Sequence, residues 1–468
     1  MDATENVTDV LVVGAGPTGL AAACDAARHG LSVRVVERRE ARAEHSKALV
    51  VHARTMEVLE RLGCADAVLA RGARFGALHV HTRPGRERTR VDLLARRWGD
   101  TRYPFWLSIP QYEVERALER RLADAGVAVE WRTALEGLEQ SDEAVTASLR
   151  GPDGGLVRHR ARWLLGCDGG RSAARELVGI SLARRALGVT FALADVETAT
   201  ALAPDEGHMV WADEGLLLVV PFARAGVWRL IAQVAEDGPE LDAAAWNELV
   251  RRRAGFDLGV RGLGWRSRFE LTAGVSAAMR RGRVFLLGDA AHVHSPVGGQ
   301  GLNTGVQDAH NLVWKLRLAD RGGLSPAARA ALLDSYESER LPTAAAMVRA
   351  TGRATGLLTS RNPLVRGLLR TIAPRALRVA RLADRLGRGV GMLDLTTGGR
   401  PRLPNPVLAA GDRLHDRVDP LLPTLLRWNG QEILVRPDRV VARPGEIPHL
   451  AEARITDPPA PSPKTMAP

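Results

Sequence analysis

The stretch DVLVVGAGPTGLAAACDAARHGLSVRVVE, Asp9 to Glu37, decides the fold. Asp9 to Val13 is an apolar run of the kind that forms a strand buried on both faces. Thr18 to His29 reads as a helix stopped by Gly30, and Leu31 to Val36 as a second strand. Between them Gly14-Ala15-Gly16-Pro17-Thr18-Gly19 spells GxGxxG. Gly14 permits a tight turn, Gly16 lets a pyrophosphate approach the backbone, and Gly19 lets helix and strand pack closely. The helix N-terminus adds amide donors and partial positive charge for phosphates. Glu37 ends the second strand 23 positions after Gly14, where a carboxylate accepts from a ribose hydroxyl. The loop alone is a weak signal. A strand, this loop, a helix and an acid at this distance together indicate a dinucleotide, without choosing between flavin and nicotinamide.

Working outward, the strand-to-helix pattern recurs twice. Leu164 to Ser172 reads LLGCDGGRS, in which Asp168-Gly169 is either ligand chemistry or simply a turn, with Ser172 as a helix cap. Val284 to His292 reads VFLLGDAAH, followed by PVGGQGLN from Pro296 to Asn303. Here Asp289 stands at a strand end, able to accept from a sugar-alcohol hydroxyl, before a glycine-rich loop that opens a helix. Gln111 to Ala125 is helical, and Val127 to Trp131, Ala144 to Arg150 and Val157 to Gly166 read as strands. From Val189 to Leu271 the period falls towards two. Gly207 to Ala212, Leu216 to Phe222 and Val227 to Val234 read there as successive antiparallel strands. Met209, Trp211 and Phe222 are candidate lining for a flat aromatic ligand; plain hydrophobic core is the competing reading.

Gly14-x-Gly16-x-x-Gly19, Asp168-Gly169 and Gly288-Asp289, in this order, resemble the three fingerprints of group A, or p-hydroxybenzoate hydroxylase-like, flavin-dependent aromatic monooxygenases. The run GDAAHVHSPVGGQGLNTGVQD, Gly288 to Asp308, is especially similar to members that oxidise aromatic polyketides. Smaller echoes are Lys47 to Glu57, Pro110-Gln111 and Tyr336 to Arg340. The resemblance implies an α/β fold: a Rossmann-like FAD-binding domain, an inserted, mainly antiparallel β-sheet substrate domain, and a C-terminal helical segment. It implies FAD held by Gly14, Gly16, Pro17, Thr18, Gly19, Glu37, Arg38, Lys47, Gln111, Asp168, Gly169, Asp289, Pro296, Gly299, Gly301, Leu302 and Asn303. Pro296 also belongs to the substrate side, with Met209, Trp211 and Phe222. The implied reaction spends NADPH or NADH and O2 to hydroxylate a phenolic, polyketide-type ring through a flavin C4a-hydroperoxide. Arg38 and Arg39 beside Glu37 are compatible with NADPH.

Lys47 stands where the family commonly carries arginine, which loses the planar fork. The tyrosines are Tyr103, Tyr112 and Tyr336, none in the inserted sheet, so no tyrosine relay is expected there and the catalytic base is left unassigned. The expected organisation is FAD-binding at 1–180 and 276–350, a substrate sheet at 181–275, a basic helical segment at 351–402, and a degenerate thioredoxin-like remnant with a disordered tail at 403–468. Only 22 positions separate Arg413 from Val435, too few for a full thioredoxin-like sheet, so the two catalytic domains are expected to work without the remnant.

Composition bounds what else is open. Of 65 basic residues only Lys47, Lys315 and Lys464 are lysine, and the formal charge is +11. Residues 351–402 hold eleven Arg and two Asp. That segment therefore carries +9, and the rest of the chain is close to neutral. Arg378, Arg381, Arg385 and Arg388 recur at helical spacing, and the expected arrangement packs the apolar face on the body with arginines in water. No nucleic-acid partner is expected. Three scattered cysteines, no visible signal peptide and no long apolar span fit a cytoplasmic protein without integral membrane association. His292 and His294 lack a third ligand in sequence, so no metal is expected. The alternatives are a Baeyer–Villiger or epoxidising oxygenase on the same fold, a flavin-dependent halogenase, or a non-enzymatic basic surface-binding protein. Phe105 to Pro110 shares only Ile-Pro with the halogenase hallmark W-x-W-x-I-P.

Overall fold

The computed structural model describes residues 7–45, 48–82, 84–85, 89–95, 98, 101–296, 298–320, 323–360, 362–393, 418–419, 423–428, 431–441 and 454–456. Lys47 lies outside the described residues, as does most of the segment read as a remnant.

The first sheet has a parallel core in the order Val284–Leu286, Leu156–Gly166, Thr8–Val13, Val33–Glu37, Val129–Trp131. Its apolar strands are buried on both faces, with Val10, Leu11, Val12, Leu164, Leu165, Val284, Phe285 and Leu286 all inaccessible, as a parallel sheet core requires. The helix Pro17–Arg28 follows the first strand, and Gln300–Asp320 packs against it. The register fixes what matters for function. Val13 lies beside Gly166, and Gly166 beside Leu286. Three strands separated by more than 100 residues in sequence therefore end side by side, delivering Gly14, Asp168 and Asp289 to one edge. In open α/β sheets ligands bind at this carboxyl edge.

The second sheet runs His292–Val293, Val260–Ser276, Leu182–Thr198, Val227–Val234, Gly215–Pro221, Glu206–Ala212, Ala77–His81, Thr89–Asp92. The three strands read from period-two patterning are present and antiparallel. The last two strands are a correction. Residues 77–92 fall inside the span assigned to nucleotide binding, yet Ala77–His81 pairs in parallel with Glu206–Ala212 and extends the substrate sheet. The helix Ala243–Ala254 covers one face through Trp246, Leu249 and Val250.

The helix Pro326–Leu358 is longer than the sequence pattern suggests and runs through Pro342. Beyond it lie helices Pro363–Arg378 and Ala380–Val390. The strands Thr424–Trp428, Gln431–Val435 and Arg454–Thr456 form a small third sheet. The remnant reading expects the catalytic domains to work without this segment, but its residues reach the body. Directly after the second of these strands Arg436, fully buried, pairs with Glu339 of the Pro326–Leu358 helix at 2.8 Å and with Asp438 at 2.6 Å. Glu339 also accepts from Lys315 at 3.0 Å. The C-terminal turn thus completes a buried ion network rooted in the nucleotide-binding body.

Candidate functional site

The first three glycines meet different surroundings. Gly14 has φ +105°, and a Cβ there would lie 2.5 Å from the Cys167 carbonyl oxygen. A Cβ on Gly19 would lie 1.9 Å from the Gly14 oxygen, so helix and loop touch through bare backbone. A Cβ on Gly16 would meet nothing within 4 Å. The turn and the packing are therefore satisfied by protein, and the space in front of Gly16 is left for a ligand. Pro17 is the first helical residue, where its missing N–H costs nothing.

The second and third motifs close around the first. Thr18 Oγ1 would lie 2.6 Å from a Cβ on Gly288 and 2.2 Å from one on Gly305. Its hydroxyl is thus wedged between the two chains, which is a packing role. Asp168 takes the turn-and-cap alternative: its oxygens accept from the Ser172 hydroxyl at 2.5 Å and from Ala174 N at 3.0 Å. Burial raises its pKa against those hydrogen bonds. Arg175 ties the loops together, donating to Ala290 O at 3.0 Å and Gly170 O at 3.1 Å. The Asn303 side chain is likewise structural, because its amide donates to Val50 O and Gly299 O and its oxygen accepts from His52 N.

Other expected cofactor residues lie near the same edge. Asp289 is exposed, as are Pro296 and Arg38, and Gly299, Gly301 and Leu302 are half-buried at the start of the Gln300–Asp320 helix. Glu37 is buried and accepts from Ala15 N at 2.8 Å and Arg39 N at 3.0 Å. Burial opposes its charge, but these bonds and the Arg39 side chain hold its pKa low, and a carboxylate has lone pairs for a further donor. Gln111 donates to Glu115 at 2.8 Å.

The candidate substrate residues do not form one group. Met209 and Trp211 pack with Phe191, Leu216 and Leu271 on the sheet face opposite the Ala243–Ala254 helix. Trp211 borders a cleft of about 430 Å³, partly open to solvent, with Asp213, Gln233, Arg366 and Arg370. None of the cleft's lining residues belongs to the glycine-rich loops. Phe222 is buried beneath the Arg229 guanidinium, 5.2 Å from its ring centre.

Sequence reasoning missed a polar cluster beside the third motif. His52 Nε2 lies 2.7 Å from the Gly298 carbonyl and donates to it, leaving Nδ1 as an acceptor. Trp106 stands edge-on to this ring at 6.1 Å, and Gln300 donates to Gly298 O at 3.2 Å. His52 Nδ1, Trp106 Nε1 and Gln300 Oε1 are buried with no hydrogen-bond partner among the described residues. Buried polar atoms are rarely left so, and two acceptors with one donor suit a ligand rich in hydroxyl and carbonyl groups. Burial pushes His52 down to about 4, so its ring is neutral at physiological pH.

A second cluster was half visible. Arg340 Nε donates to Asp308 Oδ1 at 2.6 Å, His292 Nε2 contacts Asp308 Oδ2 at 2.6 Å, and His292 Nδ1 lies 2.9 Å from His294 Nε2. Burial raises the Asp308 pKa, but Arg340 and His292 outweigh it and bring the carboxyl to about 2. Burial and then His292 depress His294 to about 3, and its Nδ1 has no partner among the described residues. Asp308 and Arg340 lie within quoted motifs, but nothing local in sequence says that they meet. No group of three or more His, Cys, Asp or Glu among the described residues is placed to hold a metal ion.

The FAD binding domain family matches residues 7–351, three-quarters of the chain. The chain belongs to the FAD-dependent aromatic monooxygenases. It is 40% identical over 386 residues to 6-methylpretetramide 4-monooxygenase of Streptomyces rimosus, covering 79% of this chain and 67% of that one. It is 32% identical over 485 residues to rifampicin monooxygenase of Rhodococcus hoagii, covering 94% and 96%. Among solved structures it resembles anhydrotetracycline hydroxylase from Streptomyces rimosus, with a TM-score of 0.73 and 30% identity over 93% of this chain and 95% of that one. The cofactor is FAD, and NAD(P)H is the reductant typical of the family.

Proposed function

We propose that this monooxygenase hydroxylates a phenolic, polycyclic, polyketide-type substrate. The observation that carries the reading is the convergence of three loops at one sheet edge, with open space at Gly16 and Gly169 and a polar cluster beside the third loop. Relatives named for tetracycline-type intermediates support the substrate class. The site residues fit FAD. In this reading the amides after Gly14 hold the pyrophosphate, Glu37 the adenosine ribose and Asp289 the ribityl chain, with the Gln300–Asp320 helix N-terminus against the ring's anionic edge. Bound there, FAD supplies hydride acceptance from NAD(P)H and activation of O2.

The chain's own residues do the rest. His52 Nδ1 and Gln300 Oε1 accept from substrate hydroxyls, and Trp106 Nε1 donates to a carbonyl, which fixes the ring's orientation. The buried Arg340–Asp308–His292–His294 series is linked by hydrogen bonds. Asp308 stays ionised, and the series ends on His294 Nδ1, which has no partner among the described residues. The test is direct. The purified protein is expected to carry a flavin spectrum and to oxidise NADPH faster when given phenolic polycycles. A colourless protein that acquires no flavin when given FAD overturns the reading.

A further inference from the structure

Helix Pro363–Arg378 inverts the arrangement expected of a basic amphipathic helix. Two of its arginines turn inward. Arg366 donates to the Ala212 carbonyl at 2.7 Å and pairs with Asp213 at 2.9 Å, and Arg370 reaches Asp213 at 2.7 Å. Leu377 packs inward against Phe75, Val91 and Leu93. Three large apolar side chains turn outward: Leu364 is 82% exposed, Leu368 56% and Ile372 54%. Spaced four apart, these three form one stripe along the helix, and the exposed Arg375 continues it. Val379, Arg381, Leu382 and Arg385, all exposed, carry the mixed character into helix Ala380–Val390. Among the described residues, six of the eleven large apolar side chains standing in water lie between 357 and 382. The monomer fold therefore does not account for this stripe.

The surroundings say what covers it. Arg375, Arg381 and Arg385 are exposed along the same two helices, so the face is apolar and cationic at once. A second copy of the chain would bring the same positive segment against itself, with three side chains as its apolar centre, where stable dimers bury on the order of 1,200 Å² or more. An anionic bilayer complements both properties: acyl chains below, phosphate headgroups around them, and long arginine side chains reaching between. We propose that the outer face of Pro363–Arg378, with the start of Ala380–Val390, is a surface that seats on anionic phospholipid membranes. Leu364, Leu368 and Ile372 enter the interface, and Arg375, Arg381 and Arg385 meet the headgroups. No described helix is long and apolar enough to cross a membrane, so the association is with the surface. The inference stands independently of the substrate reading.

The test uses the full-length, FAD-loaded protein and sedimentation with vesicles of phosphatidylglycerol and phosphatidylcholine, or of phosphatidylcholine alone. Binding is expected only to the anionic vesicles and should weaken with salt. Each Arg→Gln change at 375, 381 or 385 should lower partitioning about fivefold. The combined Leu364→Ser, Leu368→Ser and Ile372→Ser variant should lose binding while keeping its thermal midpoint and flavin content. Absence of binding to anionic vesicles overturns the proposal. So does a Ser variant that loses thermal stability, or that turns a dimer into a monomer by light scattering, because either result shows the stripe covered by protein.

Discussion

Replacing Arg436 with methionine should destabilise a body that begins more than 400 residues earlier. The guanidinium is fully buried and bidentate on Glu339, at 2.8 and 2.9 Å, while also bonding Asp438 at 3.1 and 2.6 Å. Its carbon lies 5.0 Å from the Trp314 ring centre. Without it, Glu339 keeps Asn311 at 2.7 Å and Lys315 at 3.0 Å. Burial and then Arg436 hold the Lys315 ammonium down to about 7, so removing Arg436 raises Lys315 and offsets part of the loss. Breaking a buried pair by removing one partner costs about 3–5 kcal/mol. At roughly 2 °C per kcal/mol for a large domain, the midpoint should fall by about 6–10 °C. Unfolding followed by intrinsic and flavin fluorescence reads this out. The double variant Glu339→Gln/Arg436→Met should cost less than the sum of the two single changes, since each alone strands a charge. A chain ending at Arg402 should suffer at least as much as Arg436→Met. If that truncated chain kept its midpoint, flavin and turnover, the last strands would be the dispensable remnant that the sequence suggests.

The other predictions concern the cofactor cradle and acid lability. Gly16→Ala should fold normally and weaken FAD binding, because its Cβ occupies only ligand space, whereas Gly19→Ala should lose thermal stability even without FAD, because its Cβ overlaps the Gly14 oxygen. Titrating FAD into both apo-proteins and recording their midpoints separates the two effects. Asp289→Ala should raise the FAD dissociation constant about 10–100-fold, the loss of one hydrogen bond to a charged acceptor, with the apo-protein midpoint shifted by no more than about 1 °C because the side chain is exposed. His29, His52 and His294 are pushed mainly by burial to about 4, 4 and 3, against about 6.5 when unfolded. Between pH 6.5 and 4 the unfolded chain therefore binds more protons. The contribution of these three rings should be level above about 6.5 and fall as pH drops through that window, by up to about 1.4 kcal/mol per unit per histidine. Midpoints measured across this range should slope, less so in His52→Gln, and a flat profile would show these rings are not buried neutral.

The catalytic edge was legible because its signals are local. A buried strand, a turn glycine, an open glycine and a helix start follow one another in a dozen residues, and the turn and packing positions reappear as close backbone approaches at Gly14 and Gly19. What sequence hid was long-range pairing. Ala77–His81 has no feature that names Glu206–Ala212 as its neighbour, so the sequence leaves it inside the nucleotide-binding span. Asp168 and Asn303 were identified as chemistry-bearing residues, but their oxygens and amides are taken by backbone or hydroxyl groups that only the fold brings near. His52 was quoted within a motif without a role, because its neighbour Trp106 and the Gly298 carbonyl arrive from opposite ends of the body. Arg436 finds Glu339 across 97 positions. The stripe read at Arg378 to Arg388 keeps Arg381 and Arg385 in water as expected, but Val379 and Leu382 of the face expected to pack are also exposed, and the inward pull on Arg366 and Arg370 comes from Asp213 on a distant hairpin.

The central claim is that this protein inserts one oxygen atom from O2 into a phenolic ring at the expense of NAD(P)H. Incubating the FAD-loaded enzyme with NADPH, heavy-isotope dioxygen and a phenolic polycycle, and analysing the product by mass spectrometry, tests it in one measurement. The expected product carries a single heavy oxygen as a new ring hydroxyl, with one NADPH consumed per product. NADPH consumption that yields only hydrogen peroxide with every phenol supplied, or a product whose new oxygen comes from water, would contradict it.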